Sequence, residues 1–195
     1  MIDTKLRKKV QPFFDTIAKG FVKLKIRPNT ITLLAFVIGI ISAIFIGLEW
    51  MMLALILLWI SGLFDVLDGT VARITGKSSS VGAYMDLILD RMVEATVILG
   101  FYHAYPEHTL MYLLFFVAVL FNFTTFIVAG ALFKNEGNKS MYYDVGIAER
   151  TETFIVFSLM MLLTSYIYWI LLAFNAIVFL TGFIRFYRVL KYTKE

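Results

Sequence analysis

Apolar stretches long enough to cross a bilayer follow one another along this chain from residue 28 almost to its end, and that succession leaves little choice of fold. A helix needs about 20 apolar residues to cross ~30 Å of hydrocarbon. Inside hydrocarbon every backbone N–H and C=O must find a partner within the protein, so serial runs of this length specify a helical bundle. Their spacing predicts six spans, at about 29–47, 50–74, 80–102, 109–133, 150–165 and 168–189. Hydrophobic residues make up 60% of the chain and charged ones 16%, with mean hydropathy +0.81, too apolar for a water-soluble domain of 195 residues. The expected fold class is an all-α integral membrane protein, six transmembrane helices with an N-terminal amphipathic juxtamembrane helix, forming one domain over 1–195 with its bundle at 29–189.

Basic residues give the orientation, because cytoplasmic connections are rich in Lys and Arg. Lys5, Arg7, Lys8, Lys9, Lys19, Lys23, Lys25 and Arg27 precede the first span. Arg73 and Lys77 lie at the second-to-third turn, Lys134, Lys139 and Arg150 flank the fourth-to-fifth connection, and Arg185, Arg188, Lys191 and Lys194 close the chain. The intervening connections near 49, 105–108 and 165–166 carry no Lys or Arg. Both termini are therefore expected in the cytoplasm, with the chain in the plasma membrane. The charged N-terminus does not read as a cleavable signal, so the first span would itself act as the signal. Over residues 3–25, apolar positions recur by threes and fours among the lysines, which suggests a helix lying on the membrane surface. The net charge of +4 answers best to anionic lipid headgroups, and no nucleic-acid partner is expected. With no Cys, thiolate metal sites and disulfides are excluded.

Four carboxylates interrupt this apolar pattern: Asp65, Asp68, Asp86 and Asp90. A central Asp in a spanning helix costs about 2.5–3.5 kcal/mol, so four of them require compensation and a purpose. Asp65 and Asp68 are spaced i,i+3 and Asp86 and Asp90 i,i+4, which puts each pair on one helix face. The short turn over 75–79 makes the two helices antiparallel neighbours and brings the pairs to matching depths, roughly 10 and 16 Å from the turn at ~1.5 Å per residue. Charges ~4 Å apart repel by about 4 kcal/mol at an effective dielectric of 20, so a cation is needed between them. All-oxygen ligation suits Mg²⁺, and two such ions could clamp the attacking and leaving oxygens of a phosphoryl displacement. Gly69, Ala72 and Gly82 remove bulk beside the Asp faces, either for a phosphate-bearing ligand or for close helix packing. Arg73 adds a cation suited to phosphate. Arg91 and Glu94 read as mutual neutralisation on one face.

The pattern Asp65-x2-Asp68-Gly69-x2-Ala72-Arg73-x8-Gly82-x3-Asp86-x3-Asp90 resembles the signature of the CDP-alcohol phosphotransferase family at every fixed position. The resemblance extends to the Pro28-Asn29-x-Ile-Thr32 opening and to the whole length. It implies an integral membrane enzyme of phospholipid biosynthesis, one that moves a phosphatidyl group from CDP-diacylglycerol, or an archaeal ether-lipid equivalent, to a small polar acceptor and releases CMP. By the same resemblance Asp65, Asp68, Asp86 and Asp90 hold two Mg²⁺, or Mn²⁺ in their place, with Asp90 also the general base. Asp68, Gly69, Ala72, Arg73 and Gly82 would bind the CDP moiety, and a homodimer is implied. Members that use a phosphorylated polyol such as inositol phosphate carry basic residues on the last three spans. Arg150 and Arg185 are similar to two of these, while 125–130 is apolar where the third would stand and Lys134 lies a turn beyond. Arg150 could equally balance Glu149 and Glu152, and Arg185 could anchor the last helix by snorkelling. Two alternatives stay open: transfer of phosphocholine or phosphoethanolamine from a soluble CDP-alcohol to a lipid, and a divalent-cation transporter.

Overall fold

The computed structural model describes residues 2–132 and 150–192, with side chains from residue 11 onward. Seven α-helices and no strand occur among the described residues: α1 (Ile2–Lys23), α2 (Pro28–Gly47), α3 (Met51–Ile74), α4 (Ser80–Ala104), α5 (Thr109–Leu132), α6 (Arg150–Leu162) and α7 (Ile167–Tyr192). Single 3₁₀ turns at Pro106–His108 and Thr164–Tyr166 lead into α5 and α7. Four segments are long and apolar enough to cross a membrane: Pro28–Gly47, Met51–Ile74, Pro106–Leu132 and Thr164–Lys191. The other two expected spans fall short of that standard. α4 carries Asp86, Asp90, Arg91 and Glu94, and α6 has 13 described residues, about 20 Å of helix. Leu33, Val37, Ile44, Met52, Ile56 and Trp59 stand exposed on α2 and α3, a surface suited to lipid rather than water.

The chain divides into two compact units, Ile2–Pro106 and Glu107–Glu195. In the first, α2 packs along both α3 and α4, while α1 packs on α3. The buried side of α2 is Ile31, Ala35, Gly39, Ser42, Ala43 and Ile46, spaced by threes and fours and mostly small. Small residues let the backbones close up. A Cβ on Gly39 would lie 2.7 Å from Cγ2 of Val93, and one on Gly100 would strike the Ala43 carbonyl oxygen. Two buried hydroxyls then tie α2 to α3. Ser42 Oγ donates to the Ala54 carbonyl at 2.7 Å, and Ser61 Oγ to that of Ala35 at 2.7 Å.

α3 and α4 are neighbours as expected, bringing oxygens of Asp65, Asp68 and Asp86 within 4.8 Å of one another, while the closest backbone packing of each is with α2. The short turn joins them, and the tightest packing surface available to each helix is the small-residue side of α2. The turn itself is built by hydrogen bonds at the end of α3. Gly76 adopts φ +65°, and the N–H groups of Lys77 and Gly76 donate to the carbonyls of Ala72 and Arg73 at 2.9 and 3.3 Å, the Schellman arrangement. Ser79 then caps α4 by accepting the Gly82 N–H at 3.0 Å. The same arrangement ends α1 at Lys25 (φ 57°) and α2 at Glu49 (φ 61°), where no glycine announces it.

α1 turns Phe14, Ile17, Ala18, Phe21 and Val22 toward Ile31, Leu67 and Val71 of α2 and α3, with Phe21 edge-on to Phe64 at 5.8 Å. Lys19 and Lys23 are exposed, as is Phe13 at 62%. In the second unit α7 packs on α5 and on α6. The approach to α5 is close, since a Cβ on Gly182 would lie 2.6 Å from the Phe121 ring. Buried Asn175 donates through Nδ2 to the Met111 carbonyl at 3.0 Å, and Phe115 lies 6.0 and 6.2 Å from the rings of Phe157 and Phe174.

Candidate functional site

Three of the four carboxylates come together. Asp65 and Asp68 on α3 and Asp86 on α4 each offer an oxygen, and the three oxygens lie within 4.8 Å of one another. Asp68 is buried at 7% exposure and the other two are half-buried. Asp90 is not in that group; it stands one turn further along α4 and is half-buried. The donor set fits a small hard cation. Mg–O bonds of about 2.0–2.1 Å put adjacent ligand oxygens ~2.9 Å and opposed ones ~4.2 Å apart, so oxygens already within 4.8 Å of one another need only side-chain adjustment to close on an ion.

Beside the cluster lies a cavity of about 200 Å³ lined by Pro28, Asn29 and Thr32 of α2, Asp68, Gly69 and Ala72 of α3, the turn residues Lys77, Ser78 and Ser79, and Gly82, Ala83 and Asp86 of α4. Ligand pockets usually run ~300–1,000 Å³, so this space suits the polar head of a larger molecule rather than the whole of it. Gly69 keeps its wall open: a Cβ there would meet only Arg73 Nη1, at 3.6 Å. A Cβ on Gly82 would come 3.3 Å from Ser79 Oγ and 3.4 Å from Asn29 Oδ1, narrowing the space between α2 and α4. Arg73 is exposed and donates from Nη2 to Thr70 Oγ1 at 2.9 Å, which holds the guanidinium along α3.

Sequence reasoning missed the α2 side of this cavity and the Lys77 to Ser79 rim. The Pro28-Asn29-x-Ile-Thr32 string was a signal, but only packing against both other helices puts it at the site. Further along α4, Arg91 Nη2 lies 2.6 Å from Glu94 Oε1, the mutual pairing expected, with Glu94 only 2% exposed.

The residues expected to grip an acceptor belong to the second unit. Arg185 on α7 is half-buried and donates from Nη1 to Asn122 Oδ1 on α5 at 2.9 Å. Its guanidinium carbon sits 5.2 Å from the Phe126 ring centre. Arg150 opens α6 with its guanidinium 5.4 Å from the ring centre of Phe154. Lys134 lies outside the described residues.

A family model for CDP-alcohol phosphatidyltransferase matches residues 25–182. The inner membrane protein YnjF of Escherichia coli is 32% identical over 193 residues, covering 95% of this chain and 93% of that one. The archaetidylinositol phosphate synthase of Pyrococcus horikoshii is 35% identical over 97 residues, 50% of this chain and 52% of that one, so this chain spans about half of it. Among solved structures, the phosphatidylinositol phosphate synthase of Mycobacterium tuberculosis with CDP-DAG bound superposes with TM-score 0.75 at 20% identity, over 89% of this chain and 92% of that one. The same enzyme in complex with manganese and citrate gives TM-score 0.75 at 20% identity, over 89% and 87%. At that identity the likeness is one of fold.

Proposed function

Because this chain belongs to the CDP-alcohol phosphatidyltransferase family, we propose that it transfers a phosphatidyl group from CDP-diacylglycerol, or an ether-lipid equivalent, to the hydroxyl of a small polar acceptor and releases CMP. The observation that carries the reading is the three-carboxylate group of Asp65, Asp68 and Asp86 opening on a cavity walled by Gly69, Ala72 and Gly82. A structural carboxylate cluster would have no use for an adjoining space walled by residues without bulk. The acceptor class is a phosphorylated polyol such as inositol phosphate or glycerol phosphate. Relatives that include an archaetidylinositol phosphate synthase support that class.

In this reading Asp65, Asp68 and Asp86 hold two divalent cations, Mg²⁺ by preference, with Asp90 completing the set. The ions supply charge neutralisation for the diphosphate and for the oxygens that gain negative charge during transfer. Asp90, one turn from Asp86 on the same face of α4, takes the proton from the acceptor hydroxyl. The acceptor's hydroxyl oxygen then attacks the phosphorus that carries the diacylglycerol, and the bond from that phosphorus to the CMP oxygen breaks, so that CMP leaves. Asp68, Gly69, Ala72 and Gly82 line the space for the nucleotide head, and Arg73 at its edge adds positive charge for phosphate. Arg150 and Arg185 serve the acceptor phosphate, with Lys134 a third candidate. α4 and α6 complete six spans, α1 lies along the cytoplasmic membrane surface, both termini face the cytoplasm, and the chain acts as a single domain in a homodimer.

The test is direct. Purified protein with labelled CDP-diacylglycerol and Mg²⁺ is offered inositol phosphate, glycerol phosphate, inositol and serine in turn. CMP release with a phosphorylated polyol supports the reading; cation flux in liposomes with no CMP from any acceptor would point instead to transport.

A further inference from the structure

Within the first unit, α1 backs the helix that carries Asp65 and Asp68. Its inner side, centred on Ala18 and Phe21, packs against Leu67 and Val71 of α3, with Phe21 edge-on to Phe64 at 5.8 Å. Phe64, Leu67 and Val71 immediately precede Asp65, Asp68 and Ala72 in the chain. The contact is therefore made over the same two turns of α3 that present the carboxylates. It is also shallow. Ala18 is the one α1 side chain of this cluster that is fully buried, while Phe14, Ile17, Phe21 and Val22 are buried only in part. Apolar stabilisation follows the area removed from water, so a seat made mostly of part-buried side chains leaves a second contact to decide how firmly it is held.

The outer side of α1 has the make-up for that contact. Phe13 and Leu24, 62% and 73% exposed, stand three turns apart on one line of the helix with Gly20 between them. Lys19 and Lys23, one turn apart, flank that line, and Lys25 and Arg27 continue beyond it, all four exposed. Asp15, the sole acidic residue over 11–27, accepts a proton from Gln11 Nε2 at 2.8 Å. Exposed apolar groups beside lysines suit a helix at the headgroup boundary of a bilayer, where apolar tips enter the lipid and ammonium groups reach the headgroups. Four cations against one acid select anionic headgroups over neutral ones.

We infer that anionic phospholipid bound along Lys19 and Lys23 seats α1 on α3, and that this seating holds Asp65 and Asp68 in register with Asp86 for metal binding. The inference rests on the proposed transferase reading of that site and on α1 lying along the membrane surface. It makes α1 a strap whose grip depends on the charge of the leaflet. Donor and product of the proposed reaction are both anionic lipids, so the strap ties metal affinity to the lipids on which the enzyme works.

The full chain is placed in nanodiscs of phosphatidylcholine, alone or mixed with phosphatidylglycerol, and Mn²⁺ binding is followed by paramagnetic resonance. The double variant Lys19→Gln, Lys23→Gln should match the native protein in neutral discs and bind Mn²⁺ about tenfold more weakly in anionic ones, the scale of two basic residues at a charged surface. A charged leaflet gathers Mn²⁺ around both proteins, and deleting two cations would by itself draw Mn²⁺ closer, so a purely long-range field has the opposite sign. Phe21→Ala, which removes the ring contact with Phe64, should bind Mn²⁺ weakly in both discs. A nitroxide on Thr16→Cys, in a chain without native cysteine, should lose mobility in anionic discs when EDTA is present. Equal or tighter Mn²⁺ binding by the double variant in anionic discs, native binding by Phe21→Ala, or a label equally mobile in both discs would overturn the inference. So would a native protein that binds no Mn²⁺ in either. CMP release in the same discs separates the two levels: none from any acceptor, beside a lysine-dependent Mn²⁺ affinity, would remove the transferase reading and leave the strap.

Discussion

Replacing Asp68 by Asn changes one charge and almost no volume, and its consequences follow from the geometry of the cluster. An oxygen of Asp68 lies within 4.8 Å of one from Asp65 and one from Asp86. At an effective dielectric of 20, two unit charges at that separation repel by about 3.5 kcal/mol, and Asp68 takes part in two such pairs. Water reaching the half-buried Asp65 and Asp86 screens this to a net of about 1–3 kcal/mol. The Asn amide also supplies protons that the neighbouring carboxylates can accept. Metal-free Asp68→Asn should therefore be more stable than the metal-free native protein, with Tm raised by roughly 2–12 °C at about 2–4 °C per kcal/mol. Mg²⁺ reverses the advantage, because a ligand that binds only the folded state stabilises in proportion to its affinity, and the variant has lost a ligand. Thermal unfolding of the solubilised protein, first in EDTA and then in Mg²⁺, reads both effects. A variant that melts below the native protein in EDTA, or gains as much from Mg²⁺ as the native protein does, would refute the reasoning.

Asp90→Asn is expected to abolish turnover while sparing most CDP-lipid binding, whereas Asp86→Asn weakens Mg²⁺ and nucleotide binding together; equilibrium binding beside CMP release separates them, and equal loss of binding in both would contradict the division of roles. Two glycines should part company in the same way. Gly69→Ala finds no obstacle nearer than 3.6 Å, so stability should hold or rise by about 0.5–1 kcal/mol while donor KM increases. Gly100→Ala drives a methyl into the Ala43 carbonyl and should cost about 1–3 kcal/mol in unfolding experiments. Ser61→Ala removes the buried bond to the Ala35 carbonyl and should lower stability by about 0.6–2 kcal/mol without altering metal affinity.

Much of this architecture is legible in the residues because it is local. Hydrophobic run length placed the helices within a few residues of their observed bounds, and the i,i+3 and i,i+4 spacing of the aspartates predicted a meeting of all four, of which Asp65, Asp68 and Asp86 come together while Asp90 stands a turn away. The contacts that escaped are those between distant segments. Nothing local marks α2 as the helix on which α3 and α4 both rest, because Ala35, Gly39 and Ala43 read equally well as ordinary residues of an apolar span. Asn29 and Thr32 reach the cavity only through that packing. The turns at Lys25 and Glu49 lack the glycine that usually betrays a left-handed residue. Asn122 was hidden because its partner lies 63 positions away.

The central claim is that Asp65, Asp68 and Asp86 hold divalent metal where a CDP-lipid is cleaved. Crystals grown with Mn²⁺ and CDP-diacylglycerol, measured at the manganese absorption edge, test it most directly. The account predicts an anomalous peak within bonding distance of oxygens from all three residues and next to the diphosphate. A well-ordered nucleotide with no anomalous peak among those carboxylates would contradict it.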